Sequence, residues 1–191
     1  MATANTKRKV SKSYSDLYNT PDIAIDALWK IISHKVSPNV TFFEPCNGKG
    51  KISAKMKSYG IDMMTNELFS EHGYSHFNED YLNPNKDVAK KWNYDIIISN
   101  PPFKVAAEFV LEGFKYSKEQ YHLLRINFLE GKDRYKSLLS KKHLKNVYIF
   151  TYRVSCTKGV TEEPQPNAVC YAWYRFDRDY VGQPQLHWIE E

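Results

Sequence analysis

No stretch of this 191-residue chain is apolar over enough length to cross a bilayer. The first 20 residues are polar and lack the apolar stretch of a secretory signal. Cysteine is scarce: Cys46, Cys156 and Cys170 make an odd count with no metal-ligand spacing. That pattern argues against a disulfide framework and a structural zinc site, and it predicts reduced thiols in a cytoplasmic protein with no bound metal. Internal repeats and low-complexity linkers are also missing, so a solenoid or a tethered multidomain chain is not expected. A single domain of this length buries roughly 70% of its unfolded surface and needs no covalent staples.

Acids are the minority charge, 22 against 27 Lys and Arg, for a net charge of +5 and a pI near 8.9. The excess is uneven. Lys7, Arg8, Lys9 and Lys12 form a basic arm, expected to be flexible over residues 1–15. Lys49, Lys51, Lys55 and Lys57 crowd one segment, and Lys132, Arg134, Lys136, Lys141, Lys142 and Lys145 another. Solvated helix faces account for many such lysines; a surface that follows a phosphate backbone accounts for their concentration.

Hydrophobic periodicity predicts helices at 22–35, 49–58, 85–91, 104–117 and 131–140. Strands are expected at 40–44, 61–66, 74–77, 94–99, 121–127, 145–151 and 168–176. Strands alternating with helices imply an α/β fold, a mostly parallel seven-stranded sheet with helices on both faces. No helix separates the final two strands, so the last is expected to run antiparallel. In such folds ligands sit at the carboxyl ends of strands, and Glu44, Glu67, Asp80 and Asn100 all fall at predicted ends.

The most informative segment is Asn100-Pro101-Pro102-Phe103, at the end of the β-branched run Tyr94 to Ser99. Each proline fixes its own φ and removes an N–H donor, and each pushes its predecessor out of the helical region. The result is a stiff, extended turn. It offers the Asn100 amide oxygen and the Pro101 carbonyl to one incoming amino group, with the flat face of Phe103 alongside. Upstream, Phe43-Glu44-Pro45-Cys46-Asn47-Gly48-Lys49-Gly50 joins a strand to a helix through a Gly-x-Gly turn. Glu44 would repel a phosphate there and welcome a cation. Glu67 ends a second strand; taken alone it reads as an exposed acid at a strand end, but its place about 20 residues beyond the glycines favours a contact with ribose hydroxyls. Thr20 and Pro21 read as the N-cap and first residue of a helix.

Together these segments resemble the S-adenosylmethionine-dependent methyltransferases that act on adenine N6, in that family's motif order over about residues 18 to 176. Downstream, Arg153-Val154-Ser155-Cys156-Thr157 and Ala168 to Tyr174 look like small bacteriophage-type enzymes without a separate target-recognition domain. The resemblance implies a Rossmann-like class I methyltransferase domain over 16–191. It implies a catalytic turn of Asn100, Pro101, Pro102 and Phe103. The cofactor would contact Tyr18, Thr20, Pro21, Glu44, Pro45, Cys46, Asn47, Gly48, Gly50, Glu67, Leu68, Asp80, Tyr81 and Asn100. Glu79 competes with Asp80 for the cofactor's adenine, and Leu82 with Tyr81 for lining its pocket. The family carries an aromatic where this chain has Cys156.

The implied reaction is methyl transfer to adenine in duplex DNA, with the base flipped out and a short or degenerate sequence preference. A homodimer or partner subunit is the other expected route to specificity. Similar turns occur in methyltransferases of RNA bases and of a protein glutamine amide, and a methyltransferase-like subunit can bind nucleic acid without turnover. The basic arm favours nucleic acid.

Overall fold

The computed structural model describes residues 17–158 and 169–191. The expected arm at 1–15 lies outside the described residues, as does most of the segment between Cys156 and Ala168. In chain order the strands are β1 (Tyr18–Asn19), β2 (Phe42–Glu44), β3 (Met63–Thr65), β4 (Tyr94–Ser99), β5 (Ser117–Arg125), β6 (Leu144–Phe150), β7 (Thr157–Lys158), β8 (Tyr171–Asp177) and β9 (Gln185–Ile189). The helices are α1 (Asp22–Ile32), α2 (Lys51–Ser58), α3 (Lys86–Ala89), α4 (Ala106–Gly113) and α5 (Lys132–Ser137).

Seven strands form one sheet in the order β3-β2-β4-β5-β8-β6-β9. All its neighbours pair in parallel except β8, which is antiparallel to both β5 and β6. Separately, β1 and β7 pair antiparallel, setting Asn19 opposite Thr157. The sheet is apolar on both faces, as a mostly parallel sheet must be when helices cover it. One face gathers Phe42, Ile96, Ile98, Tyr121, Leu123 and Trp173 against Ala24, Ile25, Leu28 and Ile32 of α1. The other gathers Phe43, Ile97, Trp92 and Phe109, with Leu124, Ala172, Tyr174 and Phe176 further along.

The strand expected at 168–176 does run antiparallel, from Tyr171, and slots into the middle of the sheet. Four other expectations change. The strand at 74–77 is reduced to one bridge between Phe77 and Asn66. The seventh strand is β9, which follows β8 and whose first four residues are all exposed, so it has no buried face to announce it. The helix expected at 104–117 starts as a tight turn at Phe103–Val105 and stops at Gly113, where a Cβ would lie 2.2 Å from Gln120 Oε1. Residues from Ser117 onward belong to β5 instead. Finally, α1 begins at Asp22 with Pro21 in the cap position and no side-chain cap bond. Thr20 has a different partner, described below.

Trp173, fully buried on β8, donates its indole N–H to the Ala24 carbonyl of α1 at 2.8 Å. This ties a late strand to the first helix. Trp173→Ala is expected to cost about 3–5 kcal/mol. Urea unfolding should show a lower midpoint with an unchanged slope.

Candidate active site

The carboxyl ends of β2, β3 and β4 open into one cavity of about 260 Å³. Its floor is the glycine turn. Gly48 (φ 52°) and Gly50 (φ 72°) are both left-handed, and Gly50 caps α2. A Cβ on Gly48 would stand 2.9 Å from Leu17 Cδ1, so that position needs glycine on two counts. Asn47 braces the turn. Its amide donates to the Tyr74 carbonyl (3.0 Å) and Ser75 Oγ (3.3 Å) and accepts from Ser53 Oγ (2.7 Å). Glu67 holds it from the other side. One carboxylate oxygen accepts the Gly48 N–H at 2.7 Å; the other accepts the Phe69 N–H at 3.1 Å and faces His72 Nδ1 at 3.2 Å.

Glu44 is treated very differently. It is 2% exposed, and its Oε2 has no hydrogen-bond partner. Burial pushes its carboxyl well above the usual range; the Ser53 amide offsets this in part and the nearby Glu67 adds to it. Burial, then Glu44 and Glu67, also push the Cys46 thiol up. Cys46 therefore stays protonated and directs its S–H toward the Asn100 carbonyl, 3.6 Å away.

On the far wall, Asp80 Oδ1 accepts the Leu82 N–H at 3.1 Å. The Glu79 carboxylate is engaged elsewhere, by the Asn85 N–H at 3.1 Å. Tyr81 lines the cavity, but its ring belongs mainly to an aromatic cluster with Phe43, Trp92, Phe109 and Tyr116.

Asn100 stands at the cavity's edge, just past β4. Its amide nitrogen donates to Thr20 Oγ1 (3.1 Å) and the Tyr18 carbonyl (3.3 Å). Its Oδ1 is buried and has no partner. Beneath it, Ser99 Oγ meets His122 Nδ1 at 2.8 Å, His122 Nε2 meets Gln120 Oε1 at 2.9 Å, and Gln120 donates to the Val110 carbonyl at 3.1 Å. Burial lowers the His122 pKa to about 3, so the ring is neutral. Its Nδ1 accepts from Ser99 while Nε2 donates to Gln120, a closed chain that stiffens the turn.

The cavity brings together Tyr18, Thr20, Glu44, Pro45, Cys46, Asn47, Gly48, Glu67, Leu68, Asp80, Tyr81, Asn100 and Pro102. Pro21, Gly50, Pro101 and Phe103 do not line it. Phe103 lies on the other side of Asn100, against Tyr18 (4.9 Å between ring centroids) and Tyr171 (6.0 Å). Arg125 covers it, the guanidinium carbon 4.0 Å from the ring centre. The sequence suggests a strand residue facing a neighbour at Arg125; only the β4–β5 pairing places it beside the Asn100–Phe103 turn.

Two members of the second basic cluster are engaged within the fold. Arg134 caps the carbonyls of Asn127, Phe128 and Glu130. Lys145 pairs with Asp177 at 2.9 Å, near the amino ends of the strands and away from the cavity. Lys55 pairs with Asp26 at 3.0 Å, whereas Lys49 and Lys51 border the cavity.

No protein-family model matches the sequence, and no curated protein matches it. Solved structures match the fold. A type I restriction-enzyme modification subunit from Vibrio vulnificus YJ016 has 13% identity and a TM-score of 0.64, over 92% of this chain and 47% of that one. The type I restriction enzyme EcoKI M protein has 12% identity and a TM-score of 0.61, over 94% and 49%. An enzyme from Pyrococcus horikoshii described as an RNA methyltransferase has 19% identity and a TM-score of 0.60, over 91% of both chains. The chain thus spans about half the length of the two restriction-enzyme subunits. With the strand order, these likenesses define the fold as Rossmann-like, of the class I methyltransferase type.

Glu44 generates a stability prediction. Its folded pKa lies above the ordinary 4.5, so the free protein loses stability as pH rises from about 4.5 through the raised value. Glu44→Gln should raise the Tm of the free protein at neutral pH. That gain should shrink toward zero as pH falls below about 4.5, which thermal unfolding at several pH values will read.

Proposed function

We propose that this protein transfers a methyl group from S-adenosylmethionine to the N6 amino group of adenine in DNA, with the target base drawn out of the helix. The observation that carries this reading is the state of Asn100: nitrogen anchored twice, oxygen buried and unpartnered at the edge of the cavity. A buried acceptor without a donor is costly, and an exocyclic amino group supplies the missing donor.

The cavity's groups fit the cofactor. The unpartnered Glu44 oxygen suits its ammonium. The free lone pairs of Glu67 suit ribose hydroxyls, and Asp80 beside Leu82 and Phe109 suits its adenine. When bound, S-adenosylmethionine supplies an electrophilic methyl group on a sulfonium centre.

The chain's own work is positioning and electrostatics. An aromatic amino group is a poor nucleophile because its lone pair is delocalised into the ring. Asn100 Oδ1 and the Pro101 carbonyl accept its two N–H bonds, favour a pyramidal nitrogen and stabilise the positive charge that develops as it attacks. Asn100 is neutral and takes no proton, so the proton leaves to solvent after transfer. Lys49 and Lys51 at the cavity rim and the exposed Lys104 beside Phe103 suit phosphates.

The similarity to the Pyrococcus horikoshii enzyme extends over nearly all of both chains and favours a second reading, an RNA base as substrate. Radiolabelled cofactor offered with DNA, RNA and protein in parallel decides between them. Label in DNA at adenine is expected; label confined to RNA or protein would overturn the DNA assignment.

Two substitutions test the roles. Asn100→Ala should leave cofactor affinity within a few-fold and lower kcat by about two orders of magnitude, as removal of one preorganised hydrogen-bonding group does. Retention of most turnover would rule out the amino-group mechanism. Glu67→Ala removes a charge-assisted hydrogen bond worth about 1.5–3 kcal/mol. Calorimetry should show S-adenosylmethionine affinity falling roughly ten-fold or more.

A further inference from the structure

Arg125 ends β5, next to the strand that delivers Asn100. Its guanidinium lies over Phe103 at 4.0 Å and within 5.9 Å of the Tyr18 ring centre. Other arginines of this protein have obvious structural uses. Arg175 is paired to Glu119 at 2.9 Å, and Arg134 caps three carbonyls. Among the described residues no carboxylate pairs with Arg125, and its Nε is buried without an acceptor. The Tyr171 hydroxyl, on a residue 2% exposed, faces Arg125 and Cys156 but makes a hydrogen bond of good geometry with neither. Arg125 and Tyr171 therefore bring two polar groups without good hydrogen bonds beside Phe103, which does not line the cofactor-shaped cavity, while the unpartnered Asn100 Oδ1 stands at that cavity's edge. Cys156, the remaining neighbour, is buried and has no flat face.

We propose that Phe103 and Arg125 are the two walls of the slot that receives the target ring, and that the Arg125 guanidinium is its second stacking face. The inference rests on the reading of the substrate as a planar ring with an exocyclic amino group. In the free protein the walls lie against each other. A ring entering between them displaces the guanidinium by one ring thickness, and the long, unpaired side chain permits this without breaking an ion pair. The guanidinium is planar, weakly hydrated and cationic, so it stacks on a nucleobase as it stacks on Phe103 now. Once there, its Nε–H and the Tyr171 hydroxyl lie beside the nucleotide's oxygens, where both can be satisfied.

The test separates a flat face from a charge. Arg125→Ala, Arg125→Lys and Arg125→Tyr are compared on a single-stranded oligodeoxynucleotide with one adenine. A matching strand carries 2-aminopurine in its place. Arg125→Ala should raise the oligonucleotide KM roughly ten-fold, the scale of one lost stacking partner. S-adenosylmethionine affinity by calorimetry should be unchanged, which also shows that the variants are folded. Arg125→Tyr should recover most of the loss and keep the 2-aminopurine emission quenched as in the native protein. Arg125→Lys should behave like Arg125→Ala, with brighter emission. Recovery by lysine and not by tyrosine would overturn the proposal in favour of a point charge, and native KM in all three would place Arg125 outside the slot. If the native protein itself labels neither DNA nor RNA, the underlying substrate reading fails and the slot falls with it. That outcome is distinct from native activity with indifferent variants.

Discussion

The tie between the Asn100 amide nitrogen and the Tyr18–Thr20 segment sets the geometry of the whole site. An amide can turn end for end, and in the proposed reaction only the end bearing oxygen suits an incoming amino group. Two acceptors on the nitrogen decide which end faces the site. Those acceptors are themselves held by the β1–β7 pairing, which fastens the chain before α1 to the chain before β8. Below, the neutral His122 links Ser99 to Gln120 and leaves the turn little freedom to tilt. The prolines contribute by withholding donors: neither adds an N–H that could occupy Oδ1.

Glu44 and Glu67 show how one residue type serves opposite ends. Both are nearly buried, at 2% and 6% exposure. Glu67 is compensated by two backbone N–H groups and spends that compensation on shaping the glycine turn. Glu44 has an oxygen with nothing to accept from, a standing cost in the free protein. The two acids thus stand beside the same loop in opposite states, one balanced and one not.

Much of this was legible from residue order because strand ends carry the chemistry. Glu44, Glu67, Asp80 and Asn100 each terminate an apolar run or follow one closely, so a parallel-sheet reading brings them together without coordinates. What escaped did so for physical reasons. β9 is an edge strand with exposed side chains and no alternation to detect. The start of β5 is polar (Ser117, Glu119, Gln120), yet it is drawn into the sheet by pairing with β4. Thr20 has the right chemistry for a helix cap, but the Asn100 amide claims its hydroxyl. The place of Arg125 beside Phe103 could not be read from the sequence, because it depends on which strand lies next to β4.

The position of β8 has a consequence for how the molecule comes into being. It is the eighth strand among the described residues, yet it sits between β5 and β6, pairing with both. Trp173 on β8 meets Ala24 across 149 residues of chain. While the chain leaves the ribosome, β5 and β6 have no partner between them, and α1 lacks the indole that seats it. The sheet closes only after residues beyond Tyr171 emerge, so nearly the whole polypeptide must be kept from wrong pairings before the fold can lock. Contacts this distant in sequence are slow to form. The Asn100–Phe103 turn follows β4 and leans on β5, whose far side stays unpaired until β8 arrives, so the turn's support is incomplete in a chain that stops short of Tyr171.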